Sequence, residues 1–396
     1  MKLEGKNILV GVTGGIAAYK AVELVRLLTK RRAAVNVVMT ENAEKFVTRL
    51  TFQTISGNPV IPDTFDLAYG AEIKHISIPG DTDLAVIAPA TADFIGKAAG
   101  GIADDLLTTM MLAITKPVLI APSMNVHMYE NGIVQDNIKK LKRYGFYFID
   151  PDSGWLACGY EGKGRLAEPW NIAEEIEFIL SKKDIKGKKL IVTAGPTREY
   201  MDPVRFISNP SSGKMGYAIA RAARLRGAEV TLISGRVAVK PPYGVKFIET
   251  ESAKQMLEHV SKLFNESDGI IMSAAVSDYT PVTVEQHKIK KVHDSLEIKL
   301  YRTVDILESI AKDKGKKVII GFAAETDDLE KYARQKMKSK RMDMIVANNV
   351  TSKGSGFGVD TNRATLIYKD DSAEELPLMS KAELADVILD RMIGMF

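Results

Sequence analysis

The sequence predicts an α/β protein made of two consecutive parallel-sheet domains, and three observations carry that prediction. The first is a mid-chain loop, Thr193-Ala-Gly-Pro-Thr-Arg-Glu199 with Val204-Arg-Phe-Ile-Ser-Asn-Pro-Ser-Ser-Gly-Lys-Met-Gly216. It lies between an apolar strand, Lys189-Leu-Ile-Val192, and a helix from Met215 to Gly227 with Ala218, Ile219, Ala222 and Leu225 at helical spacing. The second is the same grammar at the start of the chain: Asn7-Ile-Leu-Val-Gly-Val-Thr-Gly-Gly15, a helix from Ile16 to Arg31 with Ala21, Leu24, Val25 and Leu28 on one face, then the strand Val35-Asn-Val-Val-Met39. The third is size: 396 residues, 45% of them hydrophobic, can bury two ordinary cores. Such an opening begins an α/β domain rather than ending one, so its recurrence marks a second domain. The expected division is 1–180, a polar and charged linker over 181–188, and 189–396.

Taken in order, Asp83-Leu-Ala-Val-Ile-Ala88 and Pro117-Val-Leu-Ile-Ala121 read as further buried strands of the first domain. They feed the turns Pro89-Ala-Thr-Ala-Asp93 and Pro122-Ser-Met-Asn-Val-His-Met128. Ligands of open parallel sheets collect at the carboxyl ends of strands, so residues 13–15, Thr40, Ala90, Thr91 and residues 123–125 are expected at one site. In the second domain Gly227-Ala-Glu-Val-Thr-Leu-Ile-Ser234, Asp268-Gly-Ile-Ile-Met-Ser273, Lys317-Val-Ile-Ile-Gly321 and Asp343-Met-Ile-Val-Ala347 read as strands of a second parallel sheet. The last three lead into Ala274-Ala275, Phe322-Ala-Ala324 and Asn348-Asn349, where a second ligand site is expected. The alternation Leu296-Glu-Ile-Lys-Leu300 suggests a hairpin or protruding flap. The glycine-rich run Thr351 to Asp360 is a connector to Ala364-Thr-Leu-Ile-Tyr368, and Lys381 to Met395 a closing helix with Leu384, Val387, Ile388 and Met392 on its apolar face.

The mid-chain loop presents backbone N–H groups and a helix N-terminus, the chemistry of a phosphate site. Neither opening has the spacing G-x-G-x-x-G, so neither is the dinucleotide fingerprint. A net charge of +4 on so long a chain gives no case for nucleic acid. No run is long enough to span a membrane and the first residues lack a signal peptide's apolar core, so a cytoplasmic protein is expected. The one cysteine, Cys158, excludes an internal disulfide and a thiolate-rich metal site.

Single residues divide by context. His75, ahead of an expected turn at Pro79-Gly80, reads alone as an ordinary histidine, and Asn125 as an Asx turn. Cys158 differs, because it sits in Asp152-Ser-Gly-Trp-Leu-Ala-Cys-Gly-Tyr-Glu-Gly-Lys-Gly164, whose four glycines rule out a rigid core element and favour a chemical role for the thiol. Lys336 and Lys340 read alone as a solvated helix face, although their i,i+4 spacing puts both on one side.

Gly14-Gly15, His75, Pro89-Ala-Thr-Ala-Asp93, Pro122-Ser-Met-Asn-Val-His-Met128 and Leu156-Ala-Cys-Gly159 together resemble the flavin-dependent cysteine decarboxylases, with Tyr129 where relatives often carry Trp. The mid-chain loop, Ser273-Ala-Ala-Val-Ser-Asp-Tyr279, Lys288-Ile-Lys-Lys291 and Gly321-Phe-Ala-Ala-Glu-Thr326 resemble phosphopantothenate–cysteine ligase. In this order they resemble the bifunctional coenzyme A biosynthesis family over essentially the whole chain. The resemblance implies two Rossmann-like domains, an N-terminal flavodoxin-like flavoprotein domain and a C-terminal nucleotide-binding ligase domain.

For the first domain the resemblance implies bound FMN and decarboxylation of 4'-phosphopantothenoylcysteine to 4'-phosphopantetheine. A cysteinyl carboxylate has no electron sink until the adjacent thiol carbon is oxidised, which is why a redox cofactor is needed. The implied roles are Cys158 as proton donor on a flap, His75 as an aid to proton transfer and Asn125 as holder of the substrate carboxylate, with Gly14, Gly15, Thr40, Ala90, Thr91, Ser123 and Met124 around FMN. For the second domain it implies condensation of 4'-phosphopantothenate with cysteine, driven by CTP through an acyl-cytidylate. Asn209 and Lys288 would be catalytic. Ala274, Ala275, Asp278, Lys288, Phe322, Lys336 and Lys340 would contact the nucleotide, and Asp278 would also contact Mg2+. The family further implies a large homo-oligomer, with trimers of decarboxylase domains and dimers of ligase domains. Two other readings are an NAD(P)-linked oxidoreductase, from the two α/β openings alone, and a flavoprotein binding or regulatory subunit, against which His75 and Cys158 both stand.

Overall fold

A computed structural model of the chain describes residues 3–61, 74–155, 159, 161–291, 295–325, 329–349, 356 and 358–396. It divides into two compact units, Met1–Ser181 and Lys182–Phe396.

In the first unit β1 (Asn7–Val12) leads to α1 (Ala18–Lys30) and β2 (Ala34–Met39). Helices α2 (Glu41–Glu44), α3 (Arg49–Ser56) and α4 (Lys74–Asp81) precede β3 (Leu84–Ala90); α5 (Ala92–Gly100) and α6 (Leu106–Ala113) precede β4 (Val118–Pro122). Helices α7 (Val126–Glu130) and α8 (Gly132–Arg143) precede β5 (Tyr147–Phe148). The antiparallel pair β6 (Asp152–Trp155) and β7 (Glu161–Arg165) and helix α9 (Pro169–Leu180) follow. The sheet is parallel throughout, in the order β2-β1-β3-β4-β5. That is the flavodoxin-like order, and it reverses between β1 and β3. All seven residues of β3 are buried, as expected of a strand covered on both faces, and the α1 stripe Ala18, Ala21, Leu24, Val25 and Leu28 is buried as its spacing predicts. The expected turn at Pro79-Gly80 is instead the last turn of α4. A proline two residues before a helix ends removes one hydrogen bond from a turn that is about to stop, so the helix survives it.

In the second unit β8 (Lys189–Ala194) is followed by a short hairpin, β9 (Arg198–Tyr200) and β10 (Phe206–Ser208), then α10 (Lys214–Leu225), β11 (Glu229–Ser234), β12 (Lys246–Glu249), α11 (Ala253–Phe264) and β13 (Gly269–Met272). Next come β14 (Tyr279–Pro281), β15 (Leu300–Arg302), α12 (Ile306–Ala311), β16 (Val318–Glu325), α13 (Leu329–Ser339) and β17 (Met344–Asn349). The chain ends with β18 (Thr361–Asn362), β19 (Thr365–Tyr368), β20 (Ala373–Glu375), β21 (Met379–Ser380) and α14 (Lys381–Ile393). The main sheet runs β12-β11-β8-β13-β16-β17-β19-β20. Its first six strands, counted in order of appearance, are arranged 3-2-1-4-5-6, the doubly wound order with its switch point between β8 and β13. Gly216 lets α10 lie against β8, since a Cβ there would stand 2.5 Å from the Cβ of Ala194.

Two further expectations are corrected, and one is met. The second sheet is mixed rather than parallel, because β19 pairs antiparallel with β17 and β20 antiparallel with β19. A parallel partner would require a crossover back to the other end of the sheet, and no described helix lies between β17 and β19. The hairpin expected at the 296–300 alternation is present as the antiparallel pair of β14 and β15, its second strand beginning at Leu300, with Leu296 exposed. The 181–188 segment is only in part a solvated connector: Lys182, Lys186 and Gly187 are exposed, but the residues between them are anchored. Ile185 is 3% exposed within the core that also holds Leu190, Ala223 and Leu389, a burial that contributes roughly 1.5–3 kcal/mol. Asp184 meets Arg226 through two hydrogen bonds, at 2.9 and 2.8 Å, and Lys183 Nζ donates to Leu225 O. Reading by composition alone weighted the four lysines of the segment and missed its one apolar anchor.

Candidate functional site

Each unit has a cavity beside the point where its strand order reverses. In the first unit the cavity is about 580 Å³ and is lined by Gly14, Gly15, Thr91, Ser123, Met124 and Asn125 together with Tyr19, Lys20, Met128, Trp155 and Arg165. Hydrogen bonding at the sheet end explains the convergence. Thr13 Oγ1 donates to Pro89 O at 2.7 Å and accepts from Thr91 N at 3.0 Å, and Ser123 N donates to Ala90 O at 2.9 Å. The loops after β1, β3 and β4 are thereby laced together. Gly14 is required by close approach, since a Cβ there would lie 2.3 Å from Asn42 Cβ. Thr91 caps α5 by accepting from Phe94 N, and Asn125 caps α7 by accepting from His127 N at 2.8 Å.

Thr40 and Ala90 stand at the ends of β2 and β3 without lining the cavity. The Thr40 hydroxyl is buried and has no hydrogen-bond partner among the described residues. Burial pushes the Asp152 carboxyl up from its usual range, against the opposing pull of the Glu168 N–H and of the nearby Lys20 and Arg165. Cys158 lies outside the described residues. The backbone of His75 is helical within α4, and its side chain lies outside the description.

The second unit's cavity is about 540 Å³ and gathers Asn209, Ala274, Ala275, Asp278, Phe322, Lys336 and Lys340. Seven of the eight residues expected there are present. Lys288 is the exception: it lines a separate groove of about 460 Å³ with Met201, Thr283, Glu285 and their neighbours. The segment after β13 is fixed by the loop after β8, with Ala274 N donating to Thr193 Oγ1 at 3.2 Å, Ala275 N to Gly195 O at 2.9 Å and Ser277 N to Thr197 Oγ1 at 2.9 Å. Asn209 Nδ2 reaches the same segment, 3.3 Å from Ala275 O and 3.2 Å from Val276 O. Lys336 Nζ donates to Phe322 O at 3.3 Å, and Lys340 pairs with Asp305. Burial alone would raise the Asp305 carboxyl; the Lys340 ammonium and the Glu308 N–H outweigh it and hold the group below its usual range. Burial lowers the Lys381 ammonium, helped by the neighbouring charge of Lys214.

The cavity therefore holds lysines 214, 336, 340 and 381 with Arg302, against the carboxylates of Asp278 and Asp305. An excess of cations beside backbone N–H groups at a strand end can hold a polyphosphate. Sequence reading missed Lys214, Asp305 and Lys381 here, and Lys20, Trp155 and Arg165 in the first unit. Two of them carried a local signal: Asp305-Ile-Leu-Glu308 and Ser380-Lys-Ala-Glu383 both have the spacing of a helix N-terminal box, and they cap α12 and α14. Among the described residues no group of three or more His, Cys, Asp or Glu side chains could hold a metal ion by itself, and no helix is long and apolar enough to cross a membrane.

Comparison with known proteins places these two sites in context. Residues 1–181 match the family described as Flavoprotein, and residues 185–395 match the DNA/pantothenate metabolism flavoprotein C-terminal domain. The chain is similar to the coenzyme A biosynthesis bifunctional protein CoaBC of Bacillus subtilis, at 49% identity over 99% of this chain and 98% of that protein. It is similar to the protein of the same name in Vibrio cholerae, at 46% identity over 98% of both. Among solved structures, the C-terminal domain of a coenzyme A biosynthesis bifunctional protein CoaBC covers 54% of this chain and 98% of its own length, at 44% identity and a TM-score of 0.47.

Proposed function

From the premise that this chain belongs to the family of bifunctional coenzyme A biosynthesis proteins, we propose how its residues divide the work. The chain is a bifunctional ligase and flavin-dependent decarboxylase of coenzyme A biosynthesis. In this reading the second unit acts first. A carboxylate oxygen of 4'-phosphopantothenate attacks the α-phosphorus of CTP, pyrophosphate leaves and an acyl-cytidylate remains. The cysteine amine then attacks the acyl carbon, CMP leaves with the electron pair of the broken C–O bond, and the amine loses a proton.

The observation that supports this is the convergence of Asn209, Ala274, Ala275, Asp278, Lys336 and Lys340 on one cationic cavity at the switch point. Lys336 and Lys340 offset the triphosphate charge, while Asn209 and the 274–275 backbone orient the acyl group. Mg2+ fits a single contact at Asp278, because this ion is commonly held by substrate phosphates and water with one or two carboxylates rather than by a protein cage. Lys288, held with its segment in its own groove, serves the ligase cavity of a second copy of the chain.

The first unit then acts on 4'-phosphopantothenoylcysteine. Its cavity volume lies within the range of about 300–1,000 Å³ usual for cofactor sites, and the backbone of Gly14 and Gly15 in its lining and the buried Thr40 hydroxyl, without a partner among the described residues, support FMN held by Gly14, Gly15, Thr40, Ala90, Thr91, Ser123 and Met124. When bound, the flavin supplies the two-electron chemistry that lets the carboxylate leave. Asn125 holds that carboxylate, its amide set in the cavity wall at the start of α7 where Oδ1 accepts from His127 N. His75 assists proton transfer and Cys158 delivers the final proton. The working assembly is a large homo-oligomer, trimeric through the first units and dimeric through the second, in the cytoplasm.

Mass spectrometry of products after incubating the purified chain with 4'-phosphopantothenate, cysteine, CTP and Mg2+ tests the whole reading. Phosphopantetheine with CMP and pyrophosphate is the expected result. Phosphopantothenoylcysteine alone would remove the decarboxylase half, and unchanged substrate the ligase half.

A further inference from the structure

The β9–β10 hairpin carries a contact at each of its ends. Past its open end lies Asn209, bonded to Ala275 O and Val276 O. At its turn lies Asp202, a fully buried carboxylate that gathers three backbone N–H groups. Val204 N and Arg205 N both donate to Oδ1 at 2.8 Å, and Ile289 N donates to Oδ2 at 3.0 Å. Arg205 crosses the same gap, its Nη2 donating to Ile289 O at 2.5 Å. The N–H and the C=O of Ile289 are thus both held by side chains of one tight turn. Ile289 is the residue after Lys288. Glu285 N, donating to Met201 O at 2.9 Å, fixes the approach to the lysine from the other side.

A turn of this kind needs only one carboxylate oxygen to cap itself. Here the second oxygen reaches a residue 87 positions away, and a buried carboxylate so satisfied makes strong, charge-assisted bonds. We propose that Asp202, with Arg205, is a positioning residue for Lys288: one hairpin indexes Asn209 at one end and the lysine at the other, so both groups of the amide-forming reaction share a rigid support. The inference rests on the ligase reading of this unit and on the role given there to Lys288. Tethering the backbone next to a long, flexible side chain limits the volume its ammonium can search, and a displacement of about 1 Å at such a group can cost about a hundredfold in rate.

The test compares the full chain with Asp202→Asn, Lys288→Gln and the double variant, following CMP release. In Asp202→Asn a donor replaces one acceptor oxygen and faces N–H groups. The expected result is a fall in kcat of about a hundredfold with the KM for CTP unchanged, and full decarboxylation of supplied phosphopantothenoylcysteine. The double variant should be no slower than Lys288→Gln alone, an outcome that general damage to the fold would not produce. If Asp202→Asn does not fold, Ile289→Pro removes the N–H from the other side of the contact and takes its place in the cycle. An unchanged kcat beside a crippled Lys288→Gln overturns the proposal alone, as does an Asp202→Asn penalty that persists without the lysine. A wild-type chain that forms no amide, or a Lys288→Gln chain at full speed, overturns the underlying reading and the proposal with it.

Discussion

The Tyr368 phenol donates to Glu374 Oε2 across 2.8 Å, and Arg391 takes both oxygens of the same carboxylate at 2.9 and 2.7 Å, tying β19, β20 and α14 together at the edge of the second sheet. Arg391, and then Tyr368, draw the Glu374 carboxyl down to about 2, while burial and the carboxylate push the Tyr368 phenol up to about 12. A depressed carboxyl contributes stability that is lost as pH falls from about 4.5 towards 2. A raised phenol contributes stability that is full below about 10 and lost as pH rises towards 12. Tyr368→Phe should therefore cost about 1 kcal/mol at neutral pH and flatten the alkaline loss relative to wild type. Urea unfolding across the pH range reads both effects; an alkaline limb unchanged in the variant would count against the contact.

Asn209→Asp exchanges a donor aimed at two carbonyl oxygens, Ala275 O and Val276 O, for an acceptor that repels them. Amide formation should drop by roughly a hundredfold or more, a loss typical of one well-placed polar group in a reacting site. Decarboxylation of supplied phosphopantothenoylcysteine should continue. Assaying CMP release and carbon dioxide release on the same preparation separates the two, and parallel loss of both would show that the substitution damages more than this site.

Gly14→Ala forces a methyl group to within 2.3 Å of Asn42 Cβ, so the loop after β1 must shift. The purified variant should lack the visible flavin absorption of the wild-type chain and decarboxylate nothing, while forming phosphopantothenoylcysteine at the usual rate. A yellow, fully active variant would remove Gly14 from the cofactor cradle.

Cys158→Ser replaces a thiol by a far weaker acid. It should retain flavin and lose phosphopantetheine formation, accumulating a decarboxylated but unreduced product visible by mass spectrometry. Undiminished phosphopantetheine would take the proton-donor role away from Cys158.

Most of the strand framework was legible because buried parallel strands leave continuous apolar runs, and β3, β4, β13 and β17 lie within a residue or two of where those runs place them. The cavity residues that are also turn residues, Gly14, Thr91, Ser123, Ala274 and Ala275, were legible for the same reason, since a strand end fixes where its loop must open. Long side chains arriving from elsewhere were not. Lys381 enters the second cavity from the first turn of α14, 107 positions beyond Ala274 by subtraction of their numbers, and nothing in its local sequence marks that destination. Lys288 stands apart in another way: its motif marks it as a reactive lysine, and the clamp on Ile289 holds its segment in a neighbouring groove of the same unit.

The anchoring of Asp184 and Ile185 inside the second unit bears on anyone who would take the two enzymes apart. A gene cut at codon 189, where the sheet begins, would remove an apolar plug and strip Arg226 of both hydrogen bonds to Asp184, leaving it Asp390 and the Asp386 carbonyl. The fragment so made should be poorly folded, and its silence could be mistaken for dependence on the missing half. A cut ahead of Lys182 keeps plug and counter-ion with the unit they serve, so the fragment's activity becomes a fair measure of whether the two catalysts need to be one molecule.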